Sequence, residues 1–215
     1  IMTKAIRIHQ AGGPEVLTWE TVEIGDPGPG EARVRQAAVG LNYIDVYHRT
    51  GLYPIGELPQ AIGTEAAGVV EAIGEGVTEV AVGDRVAYAP MLGAYAEVRL
   101  AAAAKLVKIP DSIDDQTAAA MMLKGMTSSY LIRKTYPVQP GDPVLIMAAA
   151  GGVGQILSQW VKHLAATAIG CVGSEEKAEL AKAAGCEHTI LYNSEDVAAR
   201  VKDITGGEGA AVSYD

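Results

Sequence analysis

The sequence contains no phenylalanine and two cysteines among 215 residues, and Gly, Glu or Lys interrupts every apolar run before bilayer length. Two thiols, Cys171 and Cys186, are too few for a disulfide framework or a four-cysteine zinc lobe. They read as small buried residues of a reducing, cytoplasmic environment. The four histidines, His9, His48, His163 and His188, stand singly, so no metal site is expected. Basic residues are short as well. Lys and Arg total 17 against 26 Asp and Glu, a net charge of −9 that leaves no basic stripe for nucleic acid. The opening IMTKAIRIHQ reads as a strand and lacks the apolar core of a signal peptide. What remains, 49% apolar and 20% charged, is the profile of a globular chain with no membrane partner.

The character of the chain changes near residue 110. Before it, KAIRIH, VLTWETVEI, EARVRQAAVG, AAGVVEAIG, DRVAYA and AYAEVRL are strand-length and largely alternating. Gly12-Gly13-Pro14 and Gly25-Asp26-Pro27-Gly28-Pro29-Gly30 punctuate them, which predicts a compact β-barrel-like domain. After Pro110, Ser112 to Asp115 resembles a capping box, and helical segments are expected over Ala118–Leu123 and Met126–Arg133. Strands are then expected at Val144–Ala149, Ala166–Gly173, His188–Tyr192 and Ala210–Tyr214. Helices are expected between them, at Val153–Leu164, Glu175–Ala184 and Glu195–Ile204. Near-continuous apolar strands separated by amphipathic helices predict an α/β, doubly wound parallel sheet. The domains are therefore expected at residues 1–122 and 123–215. Only one strand–helix half of a dinucleotide fold and one further strand are present, so a longer natural chain is expected.

Ala148-Ala149-Ala150-Gly151-Gly152-Val153-Gly154 follows the strand PVLIM and opens a helix, the context a dinucleotide fingerprint requires. Read as G-x-G-x-x-G, it puts Ala149 at the first glycine position and then Gly151 and Gly154. Gly151 and Gly152 would let backbone approach a pyrophosphate at the helix N-terminus, and Gly154 would let helix pack on strand. An NAD site usually carries an acid at the end of the second strand. Here that position reads Gly173-Ser174, with Lys177 one turn into the helix, which suits a 2′-phosphate and hence NADPH. Glu175 and Glu176 are first-turn acids of that helix. Tyr192 ends the next strand, where its hydroxyl or ring would meet the adenosine phosphate.

Several segments resemble the NADPH:quinone oxidoreductases, the zeta-crystallin-like, zinc-free branch of the medium-chain dehydrogenase/reductase superfamily. They are Gly40–Tyr47, Arg49–Pro54, Gly63–Gly68, Lys124–Thr127, Ala148–Gly154 and Ile204–Gly207. The resemblance runs from about Ile6 to Asp215. It implies a GroES-like catalytic domain, a Rossmann-type NADPH domain, a final stretch returning to the first domain, and a homodimer. It also implies that the Asn42–Tyr47 loop, with Tyr43, and Thr127 and Tyr130 line the nicotinamide side. Gly152 and Val153 would hold the pyrophosphate, and Gly173–Lys177 with Tyr192 would take the adenosine end. Tyr43 departs from the pattern, where Phe is more usual.

Zinc members place Cys in the loop where this chain has Asn42–Asp45, and His where Thr64 stands. An alcohol dehydrogenase needs a Lewis acid for its alkoxide. A quinone or conjugated enone is already electrophilic, so positioning and one or two hydrogen-bond donors suffice. Tyr47 and Tyr53 are expected to shape an aromatic slot, with Asn42 orienting substrate or nicotinamide. The expected activity is reduction of quinones by NADPH. An enoyl or alkenal reductase, or a non-catalytic crystallin-like NADPH binder, remains open beside it.

Overall fold

In the computed structural model, which describes residues 1–215, the chain divides into two units, Ile1–Leu123 and Lys124–Asp215. The first unit is antiparallel. Strand β1 (Met2–Ile8) buries Thr3, Ala5 and Ile8. It pairs with β2 (Thr18–Glu23) on one side and β4 (Gln60–Ala61) on the other. A second sheet is built on β3 (Glu31–Gly40), β5 (Glu65–Ile73), β6 (Arg85–Tyr88), β7 (Val98–Ala102) and β8 (Val107–Lys108), in the order β7-β3-β5-β6-β8. An Ala5–Ala96 bridge and the bonds Ile6 N–H to Tyr95 O (2.7 Å) and Glu97 N–H to Lys4 O (2.9 Å) tie β1 to the chain entering β7. Its core is small and β-branched, with Val34, Val70, Val86 and Leu106 packed around Tyr88. The β3–β5 register shifts between Gln36 and Ala38, and there Gly68 passes so close that a Cβ would stand 2.1 Å from the Arg35 carbonyl oxygen.

The segment read from sequence as the Asn42–Tyr47 loop is instead a helix, α1 (Tyr43–Thr50). Its signal was the N-terminal pair Asn42 and Asp45. The Asp45 carboxylate at the third helical position accepts the Asn42 N–H at 2.9 Å. Gly51, at φ +79, ends the helix in the left-handed conformation. A second correction concerns α2 (Asp115–Tyr130), one continuous helix where two segments were expected. Gly125 lies inside it without breaking it. Its cap is Asp114, which accepts the Thr117 N–H at 2.7 Å, and not a box starting at Ser112. The division between the units falls inside this helix, which ends in a π-turn over Leu131–Thr135.

The second unit is a four-stranded parallel sheet. Its strands are β9 (Pro143–Met147), β10 (Thr167–Val172), β11 (His188–Leu191) and β12 (Val212–Tyr214), in the order β11-β10-β9-β12. The connecting helices are α3 (Gly152–His163), α4 (Glu175–Ala183) and α5 (Val197–Ile204). Period-two alternation sends successive strand residues to opposite faces. Val144, Ile146, Ala168 and Val172 pack with Leu157, Val161, Ala178 and Ala181 of α3 and α4. Leu145, Met147, Ile169 and Cys171 pack with Val197, Val201 and Ile204 of α5. Both faces are covered, which is why these strands read as continuous apolar runs. Helix α5 starts two residues later than expected. Asp196 caps it by accepting the Ala199 N–H, and Glu195 turns back to accept the Leu191 N–H at 2.6 Å.

Candidate active site

Strand β9 delivers the chain to the glycine loop through a left-handed turn. The residue that takes positive φ is Ala148, at +48, and not Ala149, which the fingerprint alignment placed at the first glycine position. Ala149 is fully buried against β10, its Cβ 2.9 Å from where a Cβ on Gly170 would lie. The Gly151 N–H donates to Ala148 O at 2.7 Å and closes the turn. A Cβ on Gly154 would stand 2.5 Å from Ala148 O and 2.6 Å from Ala149 Cα, so only glycine lets α3 pack on β9 there. Gly151 and Gly152 are exposed, and Val153 turns inward onto the core. The alkyl stem of Lys124 lies over Gly152, 2.8 Å from the position of a Cβ.

Beside this loop is a cavity of about 200 Å³ lined by Ala148, Gly151, Gly173, Lys177, Leu180 and Tyr192, with Ala150 and Val172 completing the wall. Strand β10 ends at Val172 and Gly173 follows, with no side chain to close the opening. Ser174 caps α4 by accepting the Lys177 N–H at 3.3 Å. That cap puts Lys177 on the first turn with its side chain exposed at the cavity edge. Asn193 donates its side-chain amide to the Gly173 carbonyl at 2.9 Å and fixes that backbone. The cavity, the uncovered N–H groups at the start of α3, and one cation at its rim fit a dinucleotide phosphate ester. Thr127 is half-buried and Tyr130 exposed, both on α2.

In the first unit α1 carries an aromatic row. The Tyr43 and Tyr47 rings meet edge-on at 5.3 Å, and Tyr47 meets Tyr53 at 5.1 Å. The Tyr53 N–H donates to Tyr47 O at 3.1 Å, which holds the Leu52–Tyr53 turn beneath the helix. Tyr43 is 74% exposed, and Tyr53 also lines a cavity of about 190 Å³ with His48, Pro54 and Leu58. Behind the row lies a buried polar network that the sequence reading missed. Asn42 Nδ2 donates to Glu65 Oε1 at 2.7 Å, and the Leu123 N–H donates to Glu65 Oε2 at 2.7 Å. Thr64 Oγ1 donates to Asp45 Oδ1 at 3.3 Å, and the Tyr95 hydroxyl to Asp45 Oδ2 at 2.7 Å. Burial and the adjacent Asp45 carboxylate push the Tyr95 phenol far above its ordinary range. The available signal was Glu65 itself, a lone acid opening the apolar run Ala66-Ala67-Gly68-Val69-Val70.

Residues 28–111 match the family described as alcohol dehydrogenase GroES-like domain, and residues 152–215 match that described as zinc-binding dehydrogenase. Among curated relatives, the quinone oxidoreductase of Pseudomonas aeruginosa is 51% identical across the whole chain, which covers 66% of that relative. The chain belongs to the quinone oxidoreductase family of the medium-chain dehydrogenase/reductase superfamily. Another relative of this family member is a 2-haloacrylate reductase from Burkholderia, also 51% identical over the whole chain and 66% of its own length. The crystal structure of the Escherichia coli quinone oxidoreductase complexed with NADPH superposes with a TM-score of 0.96. It is 47% identical, over 99% of this chain and 65% of that one. The chain thus spans about two thirds of the length of these relatives. In this family member the Asn42 amide and the Thr64 hydroxyl are both hydrogen-bonded to carboxylates.

Proposed function

We propose that this protein reduces quinones and related activated carbonyl compounds at the expense of NADPH, without a metal. The observation that carries the reading is the cavity at the carboxyl ends of β9 and β10, with an open glycine loop and Lys177 at its rim. Kinship at about half identity to quinone oxidoreductases supports the same reading. Residues 1–122 form the GroES-like catalytic domain and residues 123–215 the NADPH-binding domain. The N–H groups of Gly152 and Val153 and the α3 dipole hold the pyrophosphate, with Gly151 giving its backbone close approach. Gly173 admits the adenosine ribose, while Lys177, Ser174 and Tyr192 take its 2′-phosphate, where an NAD site would need an acid.

NADPH, when bound, supplies a hydride. Asn42, Tyr43, Thr127 and Tyr130 are assigned to the nicotinamide side. Tyr47 and Tyr53 stack the acceptor and exclude water, and their hydroxyls are available as hydrogen-bond donors to the oxygen on which charge develops. Steady-state oxidation of NADPH with a panel of small quinones tests the proposal. Turnover with quinones, at NADPH kcat/KM well above NADH, is expected; cofactor binding with no quinone turnover overturns it. The Burkholderia relative favours one further acceptor class, an activated alkene. Faster turnover of 2-haloacrylate or a 2-alkenal than of any quinone would make that the primary activity.

We place the protein in the cytoplasm as a homodimer. Cys171 and Cys186 are free and buried, and burial raises both thiols above their ordinary range, as suits packing residues in a reducing compartment. Light scattering of the purified protein reads the oligomeric state directly.

A further inference from the structure

The two carboxylates behind the aromatic row are costly features. Glu65 is 0% exposed and Asp45 3% exposed, and a buried acid is tolerated only when its oxygens are hydrogen-bonded. Each of the four oxygens has a donor: Asn42 Nδ2 and Leu123 N–H on Glu65, and Thr64 Oγ1, Tyr95 OH and Asn42 N–H on Asp45. Room for them is cut out by glycines. A Cβ on Gly40 would fall 2.3 Å from Glu65 Oε1, and one on Gly63 would fall 2.3 Å from the Tyr95 ring. Four of the five donors belong to Asn42, to the residue beside Glu65, or to the tyrosine behind Asp45. The network therefore converges on one place, the start of α1.

We propose that Glu65 and Asp45 are positioning residues for the reaction, with Glu65 fixing the amide of Asn42 and Asp45 fixing the first turn of the helix that carries Tyr43 and Tyr47. This rests on the reading that Asn42 and Tyr47 face the reactants. A carboxylate only accepts hydrogen bonds. Turning the Asn42 amide over would set Oδ1 against Glu65 Oε1, acceptor against acceptor. One rotamer of Asn42 is thereby selected before any reactant arrives, and its ordering cost is met in folding. Asp45 does the same for the backbone, because its two ties to Thr64 and Tyr95 hold the helix start to the residue before β5 and to the segment before β7.

Glu65→Gln preserves the volume and one acceptor but sets an NH₂ against either Asn42 or Leu123. A double-mutant cycle with Asn42→Ala, in the protein with thermal unfolding as a control, separates positioning from bulk stability. In the Asn42 background Glu65→Gln is expected to lower quinone kcat/KM about 10- to 100-fold, the size of one charge-assisted hydrogen bond. In the Asn42→Ala background it is expected to change kcat/KM less than about twofold, because its target is gone. Side-chain amide NMR gives a readout independent of turnover. The Asn42 Nδ2 resonances are expected to shift and exchange faster in Glu65→Gln, while amides of β9–β12 stay in place. Equal losses in both backgrounds, or an unmoved Asn42 amide pair, would overturn the proposal. A wild-type protein inactive on every quinone would instead refute the functional reading and leave the NMR arm to decide positioning. If Glu65→Gln does not fold, Glu65→Asp enters the same cycle, since it keeps the charge and shortens the reach.

Discussion

The Tyr192 hydroxyl stands 2.6 Å from where a Cβ on Gly173 would lie, and the ring carbon bearing it 3.0 Å away. The end of β10 and the residue after β11 therefore share one small volume at the edge of the cavity, and only a glycine leaves it to the tyrosine. Gly173→Ala is expected to push the ring toward Lys177 and weaken NADPH about 10-fold, an overpacking cost of roughly 1–3 kcal/mol. In a Tyr192→Ala background the same change should cost little. Fluorescence titration with NADPH reads both, and equal losses in the two backgrounds would show that the clash is not the cause.

In the proposed function Lys177 carries the choice between the two nicotinamide cofactors. Lys177→Ala should raise the NADPH Kd about 10- to 100-fold, the loss of one charge-assisted contact, and leave NADH within about threefold. Parallel titrations decide it. An equal loss for both cofactors would place Lys177 outside the 2′-phosphate site.

Gly154→Ala should be felt in stability before it is felt in activity. Its Cβ would lie 2.5 Å from Ala148 O, so α3 must shift off β9. A loss of about 1–3 kcal/mol is expected from urea unfolding. By contrast, Ala148→Gly relieves a left-handed alanine and should gain about 1 kcal/mol with the loop unchanged.

Tyr47 and Tyr53 pack on each other at 5.1 Å, so each ring holds the other in place. Tyr47→Ala or Tyr53→Ala should lower quinone kcat/KM about 10-fold or more, with NADPH affinity less affected; one aromatic pair alone is worth about 0.5–1.5 kcal/mol. The Phe variants separate ring from hydroxyl. Unchanged quinone turnover in both Ala variants would remove the slot from the mechanism.

Alkali should weaken the first unit. Burial raises the phenols of Tyr88 and Tyr95, and the Asp45 carboxylate adds to the rise at Tyr95. The folded state thus holds these protons more tightly than the unfolded chain. Their contribution is complete below about pH 10, the ordinary tyrosine value, and is lost as pH rises beyond it. Tyr95→Phe should cost roughly 1–3 kcal/mol near neutrality through the lost bond to Asp45, with a shallower decline in alkali. Urea midpoints from pH 8 to pH 11 measure the two slopes.

The second unit was almost fully legible along the chain. Its strands are buried on both faces, so apolar runs and helical periodicity alternate without ambiguity, and Gly151 to Gly154 sit where strand becomes helix. Legibility failed where a short polar segment obeyed a local cap. Asn42–Tyr47 read as a loop because α1 is only two turns long, too short for its helical period to stand out along the chain. Ser112 was preferred to Asp114 as the α2 cap because both patterns are present and only the traced backbone chooses between them.

Residue types and spacing by themselves determined the alternating strands, the glycine loop, the Gly173-Ser174 pair with no acid after the strand, and the resemblance that those motifs carry. Those features depend on period and on single-residue chemistry, which neighbours in sequence reveal. Only the tertiary structure decided that Ala148 takes the left-handed turn, that Tyr192 fills the space above Gly173, and that Glu65 reaches Asn42 from 23 positions away. Each of these depends on through-space approach, and a buried carboxylate is identical in sequence to an exposed one until its donors surround it.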